Sequence, residues 1–373
     1  MGIFITKQAD VKAYHDNPAI NQSSLKNLEK GLGSFLGIKA KREKEKREGT
    51  PKPEHFLIGR AVDLLLTGDP TEFVEEYYVS KVTKLPSEKE VLIIDVLVQS
   101  ILGCGLTPPK SLGHTSILPF LNKVITDQAW YNGNPGPKRI EGLLTRCSDY
   151  YQDLALAGGR DILSQEQFDK IKRIVKSLET NDRTKKYFDR AEQLEATRFD
   201  FYYQLPIYFT QEGEECKALM DMVVVCRDIT GNIQWIDPID LKTMSGYTLE
   251  FLSSLKKRRY DIQAAWYVEA LAEHFKVNRS AIRGFKFIVE STTNIGNPLV
   301  YELSTRTLNI GKFGIKARLI KTLEGEEVYF KPIKGYVQYL EEYIQYMETS
   351  FREDIILSNN PGALGLDWER GIL

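Results

Sequence analysis

The sequence predicts an α/β fold in which a mixed β-sheet is flanked by helices. Three strand-like segments follow one another at 195–210, 216–228 and 231–243, and an amphipathic helix is predicted just before them at 164–190. A second helical stretch, at 248–275, separates these strands from the strand-like segments further along the chain. Strands that are interrupted by helical patterns are typical of a sheet covered by helices.

The composition fits one large folded domain. The chain has 373 residues, of which 42% are hydrophobic, so it can fill a sizeable core. We expect a single domain over residues 1–373, with an N-terminal helical part at 18–90, a helical insertion at 91–160, a core at 164–345 and an irregular tail at 352–373.

Charge and cysteine content argue against several classes of protein. The 50 basic and 51 acidic residues give a net charge of −1, which argues against coating nucleic acid by bulk attraction but leaves room for a local basic groove. The four cysteines lie far apart and form no C-x-x-C pair, so neither a zinc site nor a disulfide framework is indicated. Without a signal peptide or a run of about 18 apolar residues, we expect a cytoplasmic protein with no membrane partner.

Helical patterns dominate the first half of the chain. The segment 20–48 starts with a serine cap and apolar residues at helical spacing, and it ends in a charged run at 39–48. The segment 55–73 predicts a buried helix that carries Asp63 among apolar residues. Between 81 and 160 we expect short helical patches joined by loops. The C-terminal part is predicted to add strands at 284–292 and 299–304 and a helix at 336–351.

A predicted β-hairpin brings charged residues together. Two strand-like segments flank the turn sequence DITGN, and counting across this hairpin places Asp221 opposite position 239 or 240. On the second strand, Asp240 and Lys242 are two residues apart and share a face, whereas Asp237 lies on the other face. Asp221, Asp240 and Lys242 are therefore expected to be neighbours.

These three residues suit a metal-dependent hydrolytic site. Two neighbouring carboxylates repel each other unless a cation lies near them, and Mg²⁺ prefers oxygen ligands. A lysine beside them can stabilise the charge that grows on a phosphoryl oxygen. The other interpretation is a structural ion pair, which is the more frequent meaning of an isolated D-x-K tripeptide.

Further motifs resemble one nuclease superfamily. Asp221, the DLKT segment and the helical QAAWY segment, with Gln263 and Tyr267, resemble the PD-(D/E)XK nucleases, in particular their RecB-like branch. The segment INQSSLKNLEKGLGSF is similar to the start of phage RecE-type exonucleases, and LIGRAVDLLLTGDPTEFVEEYYV is similar to their G-x-A-x-H helix. The resemblance covers most of residues 18–345 but leaves the middle of the chain unmatched. It implies a PD-(D/E)XK restriction-endonuclease-like core.

The resemblance also implies roles for individual residues. Asp221 and Asp240 would bind Mg²⁺, with Mn²⁺ expected to substitute, and Lys242 would be catalytic. Gln263 and Tyr267 would orient the catalytic groups or the DNA from the helix beside the site. The alternative for these two residues is a helical stripe that only packs against the core.

One position departs from the family pattern. The family's helix usually carries a histidine metal ligand where this chain has Asp63. Aspartate also ligates Mg²⁺, so Asp63 is predicted as a third metal ligand. Recruitment of His55 is a second interpretation, and a degraded nuclease that binds DNA without cutting it is a third.

A basic cluster precedes the helix that carries Gln263. Lys256, Lys257, Arg258 and Arg259 are consecutive, and they are expected either to contact the DNA backbone or to be solvated.

The resemblance implies a phage-type recombination exonuclease. It would digest one strand of a duplex DNA end, in the 5′ to 3′ direction, and leave a single strand for an annealing protein. It would act in the cytoplasm of a bacterial host as a homo-oligomeric ring around the DNA. A structure-specific endonuclease with the same fold and a DNA-binding protein without activity are the alternatives.

Overall fold

The structure is a computed structural model that describes residues 2–31, 35, 37, 53–68, 70–127, 136–190, 193, 198–321 and 327–348. The chain divides into two compact units, one formed by Met1–Arg47 with Ser177–Leu373 and the other by Glu48–Lys176. The charged run at 39–48 and the tail at 352–373 lie outside the described residues. A single domain over residues 1–373 stays a prediction.

The described residues contain both strands and helices. The strands are β1 Ile3–Ile5, β2 Tyr77–Val79, β3 Asp161–Leu163, β4 Phe199–Gln211, β5 Glu214–Arg227, β6 Ile233–Met244, β7 Lys286–Ser291, β8 Leu299–Glu302, β9 Arg318–Lys321 and β10 Glu327–Phe330. The helices are α1 Gln8–Asp16, α2 Gln22–Lys26, α3 Glu54–Thr67, α4 Pro70–Glu76, α5 Glu88–Gly103, α6 Leu118–Asp127, α7 Pro137–Ala157, α8 Gln165–Thr180, α9 Lys185–Phe188, α10 Phe251–Arg258, α11 Tyr260–Phe275, α12 Thr305–Phe313 and α13 Tyr336–Glu348. Short 3₁₀ turns lie at Asn27–Lys30, Thr115–Ile117, Thr248–Glu250 and Arg279–Ala281.

The first unit is built on a six-stranded mixed sheet with the strand order β1-β4-β5-β6-β7-β8. Strands β4, β5 and β6 pair antiparallel, whereas β6 and β7 pair parallel. A parallel pair requires a crossover, which the chain makes through α10 and α11. The predicted α/β class, with a mixed sheet flanked by helices, is confirmed.

The hairpin between β5 and β6 forms as predicted. The Asp228 carboxylate accepts hydrogen bonds from the backbone amides of Thr230, at 2.8 Å, and of Asn232, at 2.9 Å. Gly231 has a φ of +90°, a left-handed conformation that glycine adopts without strain. The side-chain bonds of Asp228 and the glycine together hold the turn.

Helix α11 packs across the sheet and buries its Trp266 fully. The Trp266 ring lies 5.2 Å from that of Phe209 on β4 and 5.3 Å from that of Tyr336 on α13, measured between centroids. Its indole N–H donates a hydrogen bond to the carbonyl of Lys217 on β5, at 3.1 Å. Trp266 is therefore a packing residue of the core.

Two helical predictions need correction. The helix predicted at 164–190 ends at Thr180, because the Asn181 side chain accepts the backbone amide of Arg183, at 3.0 Å, and starts a turn. The helical stretch at 248–275 is interrupted at Arg259, which has a φ of +51° and separates α10 from α11.

The second unit is mainly helical. Its core includes Ile93, Ile94 and Leu97 from α5 and Leu143 from α7, all fully buried. The segment 81–160 was predicted as short helical patches joined by loops, but α5 has 16 residues and α7 has 21. Among the described residues, no helix is long and apolar enough to cross a membrane.

Close packing between α11 and α12 gives a test of the fold. A Cβ atom added at Gly311 would collide with the backbone carbonyl of Asp261, so Gly311→Ala should lower the free energy of unfolding by about 1 to 3 kcal/mol. Nothing lies near the corresponding point at Gly103 on α5, and Gly103→Ala should leave stability unchanged or slightly higher. Urea unfolding of both variants checks this, and equal stability of the two would contradict it.

Candidate active site

Strand β6 presents two acidic side chains to opposite faces of the sheet. Asp237 forms an ion pair with Lys286 of β7, with Oδ1 2.7 Å from Nζ. Asp240, on the face covered by α11, forms an ion pair with Lys242. The alternation predicted from the sequence is confirmed, and it gives the two aspartates different ion-pair partners.

The hairpin register brings Asp221 to Asp240. Met222 lies opposite Ile239, so continuing the pairing by one residue places Asp221 opposite Asp240. One carboxylate oxygen of Asp221 accepts a hydrogen bond from the backbone amide of Leu241, at 2.9 Å. The two carboxylates are thus cross-strand neighbours, with Cβ atoms about 4.5 to 5.5 Å apart in such a pair.

Helix α11 adds two polar side chains from one face. The Gln263 amide donates a hydrogen bond to Asp240 Oδ1, with Nε2 2.6 Å from the oxygen. Tyr267 follows four residues later and is buried, and its hydroxyl lies 3.5 Å from the amide nitrogen of Gln22 on α2. Burial raises the pKa of Tyr267, with the nearby Tyr14 and Asp240 adding to the effect. Its hydroxyl therefore stays protonated.

The charge state of Lys242 limits its chemistry. Burial acts to lower the pKa of Lys242, but the Asp240 and Asp221 carboxylates outweigh it and raise the pKa above its usual range. The ammonium lies 5.3 Å from the ring centroid of Tyr260 and 5.9 Å from that of Phe287. Lys242 is therefore a cation at neutral pH, which suits electrostatic stabilisation and not proton abstraction.

Asp240 is held in a nearly dry environment. Its side chain is 2% exposed, and this burial raises its pKa, against the opposing effects of Lys242 and Gln263. Burial of an ionised carboxylate is unfavourable unless cations and donors surround it. Lys242 supplies the cation on one carboxylate oxygen of Asp240, and Gln263 supplies the donor on the other.

Two residues of this site were not singled out by the sequence analysis. Gln22 and Lys26 lie four residues apart on α2, within the segment that resembles the start of RecE-type exonucleases. Gln22 reaches Tyr267, and the Lys26 ammonium lies 6.0 Å from the ring centroid of Tyr260. The motif itself was the available signal, because its polar residues at positions i and i+4 share a helix face.

The donor set fits a hard divalent cation. Asp221 and Asp240 offer carboxylate oxygens side by side, and Mg²⁺ is commonly held by one or two carboxylates, with water and phosphate oxygens in its other positions. Within the described part of the chain, no group of three or more His, Cys, Asp or Glu residues is placed to hold a metal ion. Asp221 and Asp240 would therefore be the ligands that this unit supplies.

The third predicted ligand belongs to the other unit. Asp63 lies on α3, where one of its carboxylate oxygens is 3.2 Å from the hydroxyl of Thr67. Its role as a metal ligand stays a prediction. His55, the alternative ligand, is exposed on the first turn of α3.

The basic cluster divides into two kinds of residue. Lys256, Lys257 and Arg258 are exposed at the end of α10 and remain predicted DNA contacts. Arg259 is instead largely buried, and its guanidinium makes two hydrogen bonds of 3.0 Å to the Asp261 carboxylate. Arg259 therefore stabilises the break between α10 and α11.

Comparisons with known proteins add little. No protein family model matches this chain, and no curated protein matches it. One solved structure that is similar in part is described as a "putative exonuclease" from Eubacterium rectale. It has a TM-score of 0.29 and 15% sequence identity, over 61% of this chain and 80% of that chain. A similarity this low carries no argument about activity.

Removing the charge of Asp240 and removing the charge of Asp237 should have opposite effects on the stability of the folded protein. Burial raises the pKa of Asp240, so the folded protein favours the protonated form of this side chain. The resulting contribution to folding stability is fully present below the unfolded pKa of about 3.9, and it is lost as the pH rises through the folded pKa. In EDTA at pH 7, Asp240→Asn should therefore keep or raise the melting temperature, and the gain should vanish near pH 4.

Asp237→Asn is the matched control for this experiment. It leaves the nearly buried Lys286 with only the more distant and exposed Glu302 carboxylate, at 3.8 Å, and should lower the free energy of unfolding by about 1 to 3 kcal/mol. Thermal unfolding between pH 4 and pH 8 measures both variants. A clear loss of stability in Asp240→Asn at pH 7 would show that this carboxylate is structural.

Proposed function

We propose that this chain is a Mg²⁺-dependent DNA nuclease with a PD-(D/E)XK-type active site. One observation carries the proposal: Asp221, Asp240 and Lys242 meet on one face of the sheet, and Gln263 holds the buried Asp240 carboxylate. A lone D-x-K tripeptide favours a structural ion pair. A structural ion pair between Asp240 and Lys242 would require neither the second carboxylate of Asp221 across the hairpin nor the hydrogen bond from Gln263.

The residues divide the chemical work between them. Asp221 and Asp240 would hold Mg²⁺, which, when bound, supplies Lewis-acid activation of water and of the phosphoryl group. Lys242 stabilises the negative charge that grows on the phosphoryl oxygen, because its ammonium stays protonated. Gln263 fixes the orientation of the Asp240 carboxylate through its 2.6 Å hydrogen bond. Tyr267, on the same face of α11, joins this helix to α2 through its contact with Gln22.

The finer function we propose follows from the family resemblance. The enzyme digests one strand of duplex DNA from its end, in the 5′ to 3′ direction, and leaves a single strand for an annealing protein in phage-type recombination. A homo-oligomeric ring that encloses DNA would explain how a chain with a net charge of −1 stays bound. The proposed location is the cytoplasm of a bacterial host.

A binding protein without activity is a second candidate. It is favoured by one observation, the aspartate at position 63 in place of the family's usual histidine. In that case the fold would bind DNA and the carboxylates would hold no metal strongly enough for catalysis.

Metal binding can be measured without activity. Mg²⁺ binds the folded protein and not the unfolded chain, so it should raise the melting temperature of the wild type. Asp240→Asn removes one of the two neighbouring carboxylates and should abolish most of this shift, whereas Asp237→Asn should keep it. Equal shifts in all three proteins would place the metal elsewhere.

Digestion of DNA tests the reaction itself. With Mg²⁺, the wild type should degrade linear duplex DNA and leave closed circular DNA intact, and Asp240→Ala and Lys242→Ala should each lower the rate at least 100-fold. Mn²⁺ should substitute for Mg²⁺. A label on the 5′ end should be released before a label on the 3′ end.

Other outcomes would change the assignment. Cleavage of closed circular DNA by the wild type would indicate an endonuclease. DNA binding without any cleavage, in Mg²⁺ or Mn²⁺, would favour the binding protein.

A further inference from the structure

Lys26 reaches the candidate active site from far along the chain. Its ammonium donates a hydrogen bond of 2.6 Å to the carbonyl of Arg258, which lies at the C-terminal end of α10. It also lies 6.0 Å from the ring centroid of Tyr260, and the Lys242 ammonium lies 5.3 Å from the same ring. Two cations therefore share one aromatic side chain beside the carboxylates.

The neighbouring charges leave Lys26 poorly neutralised. Asp240 forms an ion pair with Lys242, and Asp261 is bound by two hydrogen bonds from Arg259. Among the described residues, no carboxylate forms an ion pair with Lys26, which is half-buried. Burial, together with the Lys242 and Arg259 cations, lowers the pKa of Lys26 to about 8, against the raising effects of Asp261 and Glu29.

A half-buried cation without a carboxylate partner is suited to an anion that arrives from outside. An ammonium is a common point-charge contact for phosphate. The position of Lys26 is also specific, since its hydrogen-bond partner, Arg258, ends the helix whose exposed Lys256 and Lys257 continue the positive surface. Positive charge thus runs from β6, through Lys26, to the end of α10.

We propose that Lys26 binds the phosphodiester next to the scissile one, so that Lys26 and Lys242 contact adjacent phosphates of the same strand. This inference rests on the proposed nuclease function. Lys26 is then a substrate-positioning residue, because it holds the strand in line with the carboxylates and does not act on the scissile phosphate itself.

Lys26 also stabilises the C-terminal end of α10 by its bond to Arg258, so the test must separate binding from folding. Three variants do this. Lys26→Met removes the charge, Lys26→Arg keeps it, and Lys30→Met removes an exposed lysine of the following 3₁₀ turn as a matched control. Melting temperatures establish that each variant is folded.

Binding is measured by fluorescence anisotropy with a labelled duplex end, in Ca²⁺ to suppress cleavage, over a range of NaCl concentrations. Lys26→Met should weaken binding about tenfold and reduce the slope of log K against log [salt] by about 1. Lys26→Arg should restore much of the affinity, and Lys30→Met should match the wild type. In Mg²⁺, Lys26→Met should raise KM more than it lowers kcat.

Neutral methylphosphonate linkages locate the contact. Replacing the phosphate next to the cleavage position should weaken binding by the wild type but have no further effect on Lys26→Met. The inference about Lys26 would be overturned, with the proposed nuclease function left standing, by either of two results. One is that each methylphosphonate lowers the affinity of the wild type and of Lys26→Met equally, and the other is that Lys26→Met binds and cuts DNA like the wild type. A wild type that neither binds nor cuts DNA would overturn the proposed nuclease function and this inference with it.

Discussion

The antiparallel register between β5 and β6 is the constraint on which the candidate active site depends. A shift by one residue would turn every side chain of β6 to the opposite face of the sheet and would separate Asp240 from Asp221. The turn that sets this register is specified locally, by the Asp228 side chain and by Gly231 in a left-handed conformation. Helix α11 covers the face of the sheet on which this register places Asp240, and Gln263 can donate its hydrogen bond to Asp240 only from that face.

Three residues of the site could be placed together from the sequence alone, because the two-residue spacing of Asp240 and Lys242 and the hairpin turn opposite Asp221 follow from local geometry. Gln263 and Tyr267 were indicated by the family resemblance instead, since their four-residue spacing also fits a helical stripe that only packs against the core. The contacts of Gln22 and Lys26 could not be derived in this way, because 245 and 232 residues separate them from their partners. Packing across the fold decides such contacts.

The errors in the helices have a similar origin. A periodic pattern continues through 164–190, but the Asn181 side chain competes for the backbone and ends the helix. In 248–275 the break at Arg259 is stabilised by Asp261, so the interruption depends on a side-chain pair that hydrophobic periodicity does not reveal. A run of basic residues is ambiguous for the same reason: of the four consecutive residues at 256–259, three have exposed side chains, whereas Arg259 is largely buried in an ion pair with Asp261.

The short stretch from Asp221 to Tyr267 supplies both carboxylates, the lysine and both helical polar residues of the site. Loops of this length close at a small entropic cost compared with the long loop that brings α2 to the same place. The residues proposed to act on the scissile phosphate are therefore contributed by one continuous stretch of chain, whereas the residue proposed to position the substrate comes from a segment that is distant in sequence.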